Sequence, residues 1–272
     1  MSARIATIGF GAMARSLAAA LARHGGGPRV TDCLLRPDSA TDLPEGVTAC
    51  TDIAALIAKA PDLVVECAGH AALAETVPAL LRAGLDVVVV SLGALCDDAL
   101  RAEVMRAAAE GAARLIPVAG AVGGLDLLRA ARLAGLDAVT YRGIKPAGAW
   151  AGSPAADAVD LGGLAQATVV FSGTARAAAL RFPKNANVAA AGAFAGLGLD
   201  ATRVELIADP AGTANRHEIA ATGAFGEMAF SVTNRPLPGN PKTSHLAALS
   251  AEEAVLAVFA AGPFGADAAP RR

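Results

Sequence analysis

Near its N-terminus the chain reads Ile5-Ala6-Thr7-Ile8-Gly9-Phe10-Gly11-Ala12-Met13-Ala14, a β-branched run passing through two glycines into an alanine-rich helix. This strand–turn–helix junction constrains the fold more than any other segment. The first glycine permits the tight turn. The second lets the backbone approach a pyrophosphate, whose charge is favoured at a helix N-terminus. Alanine at the third position of the pattern is an accepted variant for close helix–strand packing. The pattern alone also fits a purely structural turn, but its place between a strand and a helix favours dinucleotide binding. Gly9, Gly11, Ala12 and Met13 are therefore candidate cofactor contacts.

The segments that follow keep one rhythm. Strands are expected at Arg4 to Ile8, Val30 to Leu35, Asp62 to Glu66, Asp86 to Val90 and Arg114 to Val118. Helices are expected at Ala12 to His24, Asp52 to Ala60 (with Thr51 as N-cap), Ala71 to Ala83 and Asp97 to Glu110. Strands alternating with helices at this spacing predict a Rossmann-type, doubly wound parallel sheet in an α/β fold. After Leu136 the rhythm changes to a long strand, a proline-containing loop from Lys145 to about Asp160, and a strand over Gln166 to Phe171. Two helices interrupted at Phe182-Pro183 follow, then three alternating strands, so this half reads as a second, α+β domain. The expected division is residues 1–120 for the dinucleotide and 121–239 for substrate and catalysis, with a C-terminal helix in 240–272 packing back on the first domain.

Composition closes off several other classes. Hydrophobic residues make up 54% and charged residues 18%, which excludes a disordered chain. The uncharged runs are broken by glycine below the roughly 20 residues a spanning helix needs, so no membrane association is expected. The 23 basic and 25 acidic residues are scattered, without the basic stripe that nucleic acid requires. Cys33, Cys50, Cys67 and Cys96 lie far apart with no C-x-x-C spacing, which argues for free thiols, a cytoplasmic location and no metal site. No secretory leader pattern is visible at the N-terminus.

Several polar residues carry potential chemistry. The second strand ends Cys33-Leu34-Leu35-Arg36 without the acid that reads a free ribose, so Arg36 either accommodates a 2′-phosphate or is a solvent-exposed arginine. The cofactor is accordingly NAD or NADP. His70 either contacts the nicotinamide ribose or only starts a helix, while His24 suits a helix C-terminus. In the second half, Phe182-Pro183-Lys184-Asn185-Ala186-Asn187-Val188 and Asn215-Arg216-His217 gather amides, a lysine and an imidazole. A strand histidine such as His217 is either a packing residue or a catalyst.

Those segments, with Ser91-Leu92-Gly93-Ala94-Leu95, Ala119-Gly120-Ala121-Val122-Gly123-Gly124-Leu125-Asp126, Phe171-Ser172-Gly173-Thr174-Ala175-Arg176 and Asn240-Pro241-Lys242-Thr243-Ser244, resemble the L-aspartate dehydrogenase family. The resemblance covers essentially the whole chain and is most specific in the F-P-K-N-A-N-V and N-P-K-T-S strings. It implies NAD(P)-dependent oxidation of L-aspartate to iminosuccinate, reversible from oxaloacetate and ammonia, feeding pyridine nucleotide synthesis. Carried over by motif, it puts Ala121 and Asn187 against the cofactor and His217 in the active site as acid–base. It makes Lys184, Lys242, Thr243 and Ser244 candidates for the substrate carboxylates, although Lys184 and Lys242 also read as residues on helix ends. Arg216 stands behind them. The segment around Lys145 matches only loosely. A homodimer is plausible for such an enzyme. The alternatives are a homoserine- or dihydrodipicolinate-type oxidoreductase, whose proton step depends on a lysine, and a non-catalytic NAD(P)-binding regulatory protein.

Overall fold

The computed structural model describes residues 2–183, 187–238 and 240–260, with the side chains of Pro241 and Lys242 left aside. The chain forms two compact units. One takes in the chain up to Ser91, Ala102–Val118 and the stretch from Ala248 onward; the other comprises Leu92–Arg101 and Ala119–Ala247. The passage into the second unit thus includes a ten-residue excursion, and the return starts at Ala248 rather than at residue 240.

The first unit alternates β1 (Arg4–Ile8), α1 (Ala12–Arg23), β2 (Arg29–Leu34), β3 (Thr48–Cys50), α2 (Ile53–Ala58), β4 (Leu63–Glu66), α3 (His70–Arg82), β5 (Val87–Val89), the greater part of α4 (Asp98–Gly111) and β6 (Leu115–Pro117). All six strands pair in parallel, in the order β3-β2-β1-β4-β5-β6. The order reverses between β1 and β4, the switch point at which open α/β sheets bind ligands beyond their carboxyl ends. β4 and β5 are buried along their whole length, as the aliphatic runs at residues 63–65 and Val87–Val89 demand when both sheet faces are covered. α1 buries Ala14, Leu17, Ala20 and Leu21, one face at helical spacing. The α2 cap is Asp52, one residue after the expected Thr51: its carboxylate accepts from the Ala55 amide at 2.7 Å. The strand β3 is additional to the five expected.

The second unit contains α5 (Leu125–Ala134), β7 (Leu136–Pro146), a 3₁₀ turn at Ala147–Trp150, α6 (Ala155–Ala158), β8 (Thr168–Thr174), α7 (Ala175–Arg181), α8 (Asn187–Ala195), β9 (Arg203–Asp209), β10 (Asn215–Gly223), β11 (Gly226–Asn234) and the small ribbon β12 (Pro236–Leu237) with β13 (Asn240–Ser244). Its five-stranded sheet is mixed, in the order β11-β10-β7-β9-β8, with only β7 and β9 parallel. On β10 the residues alternate buried and open from Asn215 onward, so Asn215, His217, Ile219 and Ala221 share the covered face. β7 runs through Lys145, which was expected in a loop, because its pairing with β9 continues to Pro146 opposite Asp209.

The closing helix α9 (His245–Phe259) supplies Ala251, Ala254 and Val255 to the core of the first unit, beside Ile5, Leu17, Leu21 and Val30. His24 at the end of α1 meets Glu252 of this helix at 2.9 Å. Among the described residues no helix is long and apolar enough to cross a membrane, all four cysteines are free, and no group of His, Cys, Asp and Glu could hold a metal ion.

Candidate active site

In the first unit the glycine turn sits where β1, β2 and β4 end. Gly9 has φ +77°, its amide donates to the Leu34 carbonyl at 2.9 Å, and a Cβ on it would meet the Ala68 Cβ at 2.9 Å. Both its conformation and its surroundings exclude a side chain. Gly11 caps α1 with extended backbone and open space around it, leaving the helix N-terminus clear for an anion. Ala12 and Met13 begin the helix. These residues fit the pyrophosphate of a dinucleotide. Arg36 is exposed, just past the end of β2.

The neighbouring turns are held by a residue that the sequence did not single out. Glu66, wholly buried at the end of β4, accepts from the amides of Ala68 and Gly69 at 2.9 Å each. It also accepts from the amide of Ser91 at 3.0 Å and the Ser91 hydroxyl at 2.9 Å. One carboxylate therefore fixes both turns at the carboxyl end of β4 and β5. Its only trace in the sequence is an acid ending an apolar strand. Glu66→Gln puts an amide donor against these donors; we expect a loss of about 2–3 kcal/mol, the value of a buried hydrogen bond to a charged group. Thermal unfolding checks the loss of stability, and calorimetric titration with NADH should show weakened binding.

In the second unit a polar strip runs along the covered face of the sheet. His217 is 3% exposed and pairs in register with Gly143 of β7. Its Nδ1 lies 2.7 Å from the hydroxyl of the fully buried Tyr141. Lys145, two residues beyond Gly143, is also buried, with its Nζ 5.6 Å from the centre of the Trp150 ring. Burial pushes the Lys145 ammonium down to about 8. Burial first, and the charge of Lys145 second, push the His217 imidazole down to about 3. Buried in this way the His217 ring is held neutral, and Lys145 is the group beside it whose value lies nearer neutrality.

Next along this face, Asn215 stands in register with Asn234 and reaches the Ser244 hydroxyl at 3.5 Å. The Asn234 amide donates to the Ala121 carbonyl at 3.0 Å, while its own buried oxygen has no partner among the described residues. Thr243 accepts from the Asn240 amide at 3.0 Å. Asn187 starts α8, and its Oδ1 accepts from the Gly93 amide at 2.9 Å. Arg216 lies on the opposite, open face of β10, ion-paired with Glu218 at 3.0 Å, and so does not stand behind the candidate carboxylate ligands. His70 begins α3, His245 begins α9, and Lys184 and the Lys242 side chain lie outside the described residues.

Comparison with known proteins bears on both units. The family model for the C-terminal part of aspartate dehydrogenase matches residues 126–258, and that for the NAD-binding domain of homoserine dehydrogenase matches residues 9–117. An L-aspartate dehydrogenase of Ruegeria pomeroyi is 49% identical over 249 residues, spanning 91% of this chain and 89% of the relative.

The chain belongs to the L-aspartate dehydrogenase family.

A second member of that family, L-aspartate dehydrogenase 2 of Bordetella bronchiseptica, is 47% identical over 92% of this chain and 94% of its own. The crystal structure of aspartate dehydrogenase from Thermotoga maritima shares the fold with a TM-score of 0.72 at 24% identity, covering 94% of this chain and 95% of that one. A hyperthermophilic archaeal homoserine dehydrogenase in complex with NADPH follows at 0.60 and 12% identity, over 95% and 98% of the two chains. The fold is therefore the Rossmann-like NAD-binding domain joined to a mixed-sheet domain that the sequence announced.

Proposed function

We propose that this member of the L-aspartate dehydrogenase family oxidises L-aspartate with NAD(P), giving iminosuccinate, NAD(P)H and a proton. Water then converts the imine to oxaloacetate and ammonia. The observation that carries the reading is the buried strip Tyr141–His217–Lys145 on the sheet of the second unit. Such groups can hold a polar substrate and move its proton.

A bound NAD(P) would supply the acceptor for the hydride that leaves the substrate Cα. Before this the α-ammonium must lose a proton, since a protonated amine has no lone pair to form C=N. A base works best when its own pKa lies near the working pH. Lys145, at about 8, meets this condition and His217, at about 3, does not. We assign proton acceptance to Lys145, while His217 remains a catalytic group that contacts the substrate. Two substrate carboxylates need donors. Ser244 offers a hydroxyl 3.5 Å from Asn215 on the same face of β10 as His217, and Thr243, Lys184 and Lys242 keep the same assignment by motif. Ala121 and Asn187 are assigned to the cofactor, with Gly9, Gly11, Ala12 and Met13 at its pyrophosphate.

Reduction of NAD and NADP, measured separately at 340 nm with L-aspartate at alkaline pH, tests the reading. Absence of turnover with aspartate, together with turnover of homoserine, would transfer the assignment to the homoserine type. Where Arg36 holds a 2′-phosphate, Arg36→Ala raises KM for NADP by about 10- to 100-fold, the worth of one charge-assisted contact, and leaves KM for NAD unchanged. A homodimer in the cytoplasm is part of the same proposal, and light scattering reads the oligomeric state.

A further inference from the structure

Tyr141 lies one strand from His217 and opposite Ile219, so its hydroxyl reaches the imidazole by leaning along β7 past Gly143. The absence of a side chain at residue 143 leaves room for that path: a Cβ there would sit 2.8 Å from the Tyr141 oxygen and push the phenol aside. The two rings are nearly parallel, 21° apart with centroids at 6.0 Å, which fixes the plane of the imidazole. A buried phenol must place its proton on an acceptor. Among the described residues, Nδ1 of His217 is the only hydrogen-bond partner of that oxygen. Burial pushes the phenol pKa up, so the proton stays on Tyr141. In a neutral imidazole one nitrogen accepts and the other donates.

We propose that Tyr141 is a positioning residue that donates to Nδ1 and holds His217 as the Nε2–H tautomer, so that the imidazole meets the substrate as a hydrogen-bond donor. The donor suits a substrate carboxylate. With the proton on Nε2 and the phenol on Nδ1, the neutral ring has no lone pair left to take a substrate proton, and His217 serves in this tautomer as a donor. This deepens the aspartate reading, on which only its kinetic consequence rests.

The test is a long-range ¹H–¹⁵N correlation spectrum of the imidazoles. The chain has four histidines, and the His217 signals are those lost in His217→Gln. The expected result is a pyridine-type Nδ1 and a pyrrole-type Nε2 in the parent protein, with shifts moving toward a mixture of tautomers in Tyr141→Phe. In the same variant kcat/KM for aspartate falls about tenfold or more, with NADH affinity within about twofold. Gly143→Ala, which keeps the phenol but blocks its path, should move the shifts the same way and serves if Tyr141→Phe does not fold. A pyrrole-type Nδ1 in the parent overturns the proposal. So do parent-like shifts in the variant that folds, or kinetics within twofold of the parent despite altered shifts. The spectrum needs no substrate, so an Nε2–H pattern in a protein inert toward aspartate sinks the functional reading alone. An Nδ1–H pattern in an active enzyme sinks this proposal alone.

Discussion

Replacing His217 with alanine is expected to lower turnover of L-aspartate by about two to four decades, the range for losing a positioned proton-handling or donor group. The pairing of β10 with its neighbours is made by backbone atoms, but the substitution leaves the buried Tyr141 phenol without its acceptor, so thermal unfolding is followed beside activity. Coenzyme affinity should stay close to the parent value, because Gly9, Gly11 and the Glu66 brace belong to the other unit. Steady-state kinetics with fluorescence titration of NADH checks both parts. His217→Gln adds a second reading: its amide can donate but cannot act as an acid or base near neutrality, so partial recovery over alanine supports a donor role. Turnover of the alanine variant within a few-fold of the parent would remove His217 from the reaction.

Lys145→Met is expected to lower kcat/KM by about two to four decades as well, and to change its pH dependence. Burial disfavours the ammonium and lowers its pKa to about 8. Below that pH the group carries a proton and cannot take another; above it the free amine is present. In the direction of aspartate oxidation, kcat/KM of the parent enzyme should therefore rise as pH increases through about 8 and then level. The methionine variant keeps the packing against Trp150 and should lack this limb. A limb that persists near 8 in the variant assigns it to another group. Because His217 is neutral from about 3 upward, no further limb from it is expected near 6.5, the unperturbed imidazole value.

Much of the first unit was legible because each of its signals is local. The glycines at 9 and 11 mark the turn, and the runs Leu63–Glu66 and Val87–Val89 are too apolar for anything but a covered strand. What escaped notice was short or masked by stronger signals. β3 has three residues and pairs only with β2, which gives no periodicity to read. α5 buries Leu125, Leu128 and Ala131 at helical spacing, but it follows Gly123-Gly124 and was absorbed into that small-residue stretch. In the candidate site, His217 and Asn215 could be named from motif, whereas Tyr141 and Glu66 could not. Their significance comes from register and from partners 76 and 25 residues away, which no single segment contains. Lys145 was visible as a residue but not as a buried one, since the strand carrying it extends only by virtue of its long-range pairing with β9.

The contribution of α9 has a consequence for biogenesis. The hydrophobic interior around Ile5, Leu17 and Leu21 is completed by Ala251, Ala254 and Val255, supplied by the opposite end of the chain. Domains made during translation ordinarily fold as they leave the ribosome, first part first. Here the residues of the parallel sheet are made before α9, so their interior stays unfinished until that helix has emerged as well.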